Sequence, residues 1–114
     1  MAITSEIIGK LGGAGVEVIP VEGAASGSRD STEVLATIDV PAGETWLVVA
    51  IGQTTAASAP VPPWLQLGDG VSTAAPSGTH GLATTATESI SLSIKRRTSN
   101  GSDSFTGHVY TVKL

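Results

Sequence analysis

Val34-Leu35-Ala36-Thr37-Ile38-Asp39-Val40 runs into Pro41-Ala42-Gly43-Glu44-Thr45, and then into Trp46-Leu47-Val48-Val49-Ala50-Ile51. The first part alternates, with Val34, Ala36, Ile38 and Val40 set against Leu35, Thr37 and Asp39. A period of two puts the apolar side chains of a strand on one face. Proline and glycine then stand where a β-turn uses them, one with φ preset and one free to take positive φ. The last part is apolar at every position. A short apolar run bounded by turn residues fits a strand buried on both faces. Together the stretch predicts a β-hairpin with its tip at residues 41–44.

Upstream, Val16 to Val21 reads as a strand, and Pro20 makes it an edge strand or an irregular one. Residues 22–31 read as a loop by composition. Further back, Ile3, Ile7 and Leu11 share one stripe of a helix, with Ile8 beside them. Thr4 or Ser5 would cap that helix and Gly12-Gly13 would end it. A helix this short is marginal in water on its own, so it needs a surface to lie on, its own domain or a neighbour. The expected organisation is a helical or extended arm over residues 1–13 and one domain over residues 14–114.

Downstream, residues 52–63 read as a loop rich in Ala, Ser, Thr and Pro. Trp64-Leu65-Gln66-Leu67 is a short strand closed by the turn Gly68-Asp69-Gly70. Residues 72–81 look like loop, and residues 82–87 like a weak strand. Ile90, Leu92 and Ile94 alternate cleanly with Ser91, Ser93 and Lys95. Asn100-Gly101 is a strong turn signal, and residues 105–114 are expected to pair back on the strand before it. About six or seven strands with regular turn signals predict an all-β fold: a single antiparallel β-sandwich, jelly-roll-like.

Composition narrows the function. Of 114 residues only 14% are charged, against about 25% in an average soluble domain. Weak charge and a surface rich in Thr, Ser and Ala suit burial against neighbours in an assembly. There is no cysteine, which removes disulfides and thiolate metal sites. The opening residues 1–6 have neither a basic nor an apolar region of a secretory signal. No apolar run nears the ~20 residues of a helical membrane span. A pI of about 4.9 argues against general nucleic-acid binding.

Chemistry-bearing motifs are scarce. His80 and His108 stand apart from any nucleophile motif and read as ordinary histidines. Residues 23–27 lack the spacing of a nucleophile elbow. No H-E-x-x-H and no Asp-rich calcium loop is present. Gly12-Gly13-Ala14-Gly15 precedes a strand, whereas a phosphate loop follows one. Asn100-Gly101-Ser102 matches a glycosylation sequon but reads as a turn. No catalytic residue, metal or cofactor is expected. Trp46 reads as core. Trp64 stays open between core, sugar contact and subunit contact.

Charge is unevenly spread. Residues 1–90 carry nine acids and two bases, and residues 91–114 carry one acid and four bases, which together give the net −4. Lys95-Arg96-Arg97 reads either as a solvated strand end or as a basic patch that meets an acidic patch of the next subunit. Such complementarity fixes orientation more than affinity.

The segment Ile38-Asp39-Val40-Pro41-Ala42-Gly43-Glu44-Thr45-Trp46-Leu47-Val48-Val49 resembles a hairpin recurrent in small virion proteins of tailed bacteriophages, where a V-P-A-G-x-T-W turn precedes an apolar strand. The resemblance covers that segment, and the composition matches in style. It implies a non-catalytic β-sandwich subunit of the phage particle, made in the host cytoplasm and placed in the tail or its tip. Head decoration is the alternative. The implied partners are copies of itself and other virion proteins, with neither nucleic acid nor membrane. Candidate subunit contacts are Ile3, Ile7, Leu11, Trp64, Lys95, Arg96 and Arg97. A carbohydrate-binding module centred on Trp64 is the reading from another class.

Overall fold

The computed structural model describes residues 17–58, 61–68, 71–74 and 78–114. Among them are eight strands: β1 (Glu17–Ala25), β2 (Thr32–Ile38), β3 (Trp46–Thr55), β4 (Trp64–Leu67), β5 (Val71–Ala74), β6 (Gly78–Ala86), β7 (Ile90–Lys95) and β8 (Asp103–Lys113). The proposed arm over residues 1–13, with Ile3, Ile7 and Leu11, lies outside the described residues, as does Asp69.

The strands form two antiparallel four-stranded sheets, ordered β1-β8-β3-β6 and β2-β7-β4-β5. Only β4 and β5 are consecutive strands paired within one sheet. The other described connections that change sheet carry the chain across the sandwich, which is the double Greek key of a jelly roll. The expected all-β sandwich is therefore the observed fold.

Two expected hairpins are not hairpins. β2 pairs with β7, while β3 pairs with β6 and β8. The turn between β2 and β3 forms as read: the Glu44 N–H donates to the Pro41 carbonyl at 3.1 Å, and Gly43 has φ 82°. That positive φ is what the third residue of a type II turn requires. The turn links two sheets instead of two paired strands. Likewise β8 does not pair back on β7 but lies between β1 and β3. A tight turn reverses the chain in either case, so turn residues do not decide between the two.

Between the sheets lie Val48, Leu65, Leu67, Leu92, Ile94, Phe105 and Val109, all fully buried. Each such side chain contributes about 1.5–3 kcal/mol relative to exposure. Trp46 packs against this core from its edge, as expected. β2 departs from simple alternation through an irregularity between Val34 and Ala36. Ala36 and Ile38 point inward, Leu35 packs over Gly23, and Val34 turns out and is 56% exposed. A bulge inserts one residue and flips the face of those before it, so Val34 leaves the expected core face.

Strand ends also moved. β1 reaches Ala25 and β3 reaches Thr55, and β5 and β6 take up most of the expected loop at 72–81. Gly and Ala have weak strand preference, so pairing with neighbours decides these segments. β1 lies at a sheet edge, where Pro20 is tolerated.

Candidate functional site

Trp64 opens β4 and pairs with Lys95, the last residue of β7. Leu65 and Leu67 are buried while Trp64 and Gln66 are half-buried, so alternation places Trp64 on the outer face of its sheet. Lys95 and Arg97 share that face. The Lys95 ammonium lies 5.8 Å from the centre of a Trp64 ring, and the Arg97 guanidinium 4.9 Å. Cations attracted to the ring quadrupole hold such a cluster together. Neither cation has a carboxylate partner among the described residues. A sugar stacking on this ring would have to displace Arg97, which works against the carbohydrate reading.

Arg96 corrects the sequence reading. It is neither a solvated strand end nor a surface contact, because it is fully buried. Alternation continues past β7, sending Lys95 and Arg97 outward and Arg96 inward. Its Nε donates to Asp103 Oδ2 at 3.1 Å, its Nη1 to the Gly27 carbonyl at 2.7 Å, and its Nη2 to the Asn100 carbonyl. Asp103, also fully buried, accepts the Ala57 N–H at 2.7 Å. The Arg96 backbone bonds Ser31 and Asp30. A buried charge needs this degree of satisfaction. The cluster clasps three loops at the basic end of the sandwich.

The other end is acidic. Glu17, Ile19, Thr37, Asp39, Trp46 and Thr111 line a hollow of about 280 Å³. Glu17 and Asp39 have no ion pair among the described residues, whereas Glu44 accepts the Trp46 indole N–H at 2.8 Å and faces Lys113 at 3.7 Å. The Thr111 hydroxyl is buried with no hydrogen-bond partner among the described residues. Native proteins seldom leave such a group unpaired. Nothing in the sequence pointed to this hollow, because its residues come from four strands, β1, β2, β3 and β8.

A third surface is the outer face of the β1-β8-β3-β6 sheet. The register sets Val18, Tyr110, Val49 and Ala83 in one row, and Pro20, His108, Ile51 and Gly81 in the next. Leu47 lies beside Val112. Val18 is 46% exposed and Ile51 45%. At ~4.8 Å between strands and ~3.3 Å per residue, these rows span on the order of 300 Å². The sequence reading buried the 46–51 run on both faces. Val48 and Ala50 do point into the core, but Leu47, Val49 and Ile51 point out.

His108 stands on this face with its ring tilted 41° to that of Tyr110, the centres 6.2 Å apart. No group of three or more His, Asp or Glu able to hold a metal occurs among the described residues. Comparison with protein-family models, curated proteins and solved structures finds no match.

Proposed function

We propose that this chain is a non-catalytic structural subunit of a tailed-bacteriophage particle, seated in the tail or its tip. The observation that carries the reading is the apolar outer face of the β1-β8-β3-β6 sheet, where Glu22 is the one charged side chain pointing outward among its described strand residues. A patch of this order is among the largest a typical monomer exposes, about 300–600 Å², and such patches are often functional. The jelly roll supports the reading without deciding it, since viral capsid proteins and lectins share that architecture. The low charge and the hairpin-like segment at residues 38–49 point the same way.

Immunogold electron microscopy of particles carrying a tagged copy of the chain tests this. Label at the tail supports the proposal, label over the head assigns decoration instead, and unlabelled particles refute both.

A further inference from the structure

The two ends of the sandwich are unlike in charge and each is incomplete. At one end Lys95 and Arg97 cover Trp64 with no carboxylate partner among the described residues. At the other, Glu17 and Asp39 line a hollow that Thr111 also lines, its hydroxyl buried with no hydrogen-bond partner among the described residues. β2 runs from one end to the other: Thr32 pairs with Lys95, and Ile38 leads into Asp39. Its seven residues separate the ends by roughly 20 Å.

We propose that copies of this chain dock head to tail, with Arg97 of one copy seated in the Glu17–Asp39 hollow of the next. The inference rests on the reading of the chain as an assembly subunit and names the partner as a second copy.

Arg97 suits the hollow better than Lys95. A guanidinium is planar and weakly hydrated, and it can stack on an indole while its edge donates to carboxylates. The hollow offers two carboxylates, both acceptors for those donors. The Arg96–Asp103 clasp directly beneath holds the donor end rigid, which lowers the ordering cost of docking. Because donor and acceptor lie at opposite ends, the contact is heterologous. Repeating it gives a ring if the rotation closes and a filament if it does not.

Light scattering and size-exclusion chromatography of the full chain test this, at low and high salt. The Lys95→Glu/Arg97→Glu variant reverses the basic end, and Glu17→Lys/Asp39→Lys reverses the acidic end. All four residues are exposed or half-exposed, and thermal melts check that both variants fold. The expected result is a self-associating wild type whose Kd weakens at least about tenfold with added salt or with either reversal. An equal mixture of the two variants should assemble again, since each then supplies the charge the other lost.

Should a reversed variant fail to fold, Glu17→Gln/Asp39→Asn serves in its place and should weaken association in the same direction. Association indifferent to every reversal, or a mixture that stays monomeric, overturns the inference. If Ile51→Asp alone abolishes assembly, the head-to-tail contact is wrong while the assembly reading stands. A wild type monomeric at low salt overturns the contact, and unlabelled particles in the microscopy test overturn the reading beneath it.

Discussion

Gly52 and Gly107 face each other across the β3–β8 pair, and neither has room for a β-carbon. A Cβ on Gly52 would lie 2.5 Å from the Thr106 carbonyl and 2.6 Å from the Phe105 ring, and one on Gly107 would press into Ile51 and Gly52. The Phe105 ring takes up the space that a side chain at Gly52 would have filled, and the β3 backbone takes up that at Gly107. Gly107→Ala is therefore expected to destabilise the fold by about 1–3 kcal/mol or more, as overpacking does. Urea unfolding measures it, and an unchanged midpoint would refute the packing account.

Breaking the buried pair should cost more. Arg96→Met leaves the Asp103 carboxylate buried without its cation, and loss of one partner of such a pair costs about 3–5 kcal/mol. The double variant Arg96→Met/Asp103→Leu removes both charges and is expected to regain much of that loss. A double variant less stable than the single one would show that the Ala57 N–H bond to Asp103 matters more than the unpaired charge.

On the outer face, Ile51→Asp should leave the fold intact, since Ile51 is nearly half exposed. Melting should shift by less than about 1 kcal/mol equivalent, while incorporation into particles falls sharply. Normal incorporation of this variant would remove the face from the contact surface.

Trp64→Ala separates the remaining alternatives. The wild type is expected to show no binding on a glycan array, and the variant should weaken subunit association by releasing Lys95 and Arg97 from their platform. A wild-type glycan signal lost in the variant would revive the carbohydrate reading.

Deleting residues 1–13 asks whether that segment grips a neighbour. Reduced incorporation, with the melting profile of the remaining chain unchanged, is the expected outcome. Unchanged incorporation would end the arm idea.

The short strands at Trp64 and Ile90 were legible because alternation and turn residues frame them, and their bounds match. Strand partners were not legible. A turn such as the one at residues 41–44 looks the same whether the next strand lies beside the last or across the core. Lys95, Arg96 and Arg97 looked like one basic patch, yet a period of two divides it into a surface pair and a buried anchor. The apolar run from Trp46 concealed an exposed face because hydrophobicity alone does not say what covers a sheet. The acidic hollow needed three dimensions, since Glu17, Asp39 and Thr111 share no local pattern.

The Arg96 clasp also has a consequence in time. Arg96 reaches Gly27 across 69 residues of chain, and Asp103 reaches Ala57 across 46. On a growing polypeptide the Arg96 bond to Gly27 cannot close until β7 has emerged, and the Asp103 bonds cannot close until the final strand has begun to emerge. Contacts of such long range slow folding, so the basic end should be the last part to become rigid. A chain caught before that moment would present an unlocked end, and the clasp would then act as a checkpoint on which copies are ready to join an assembly.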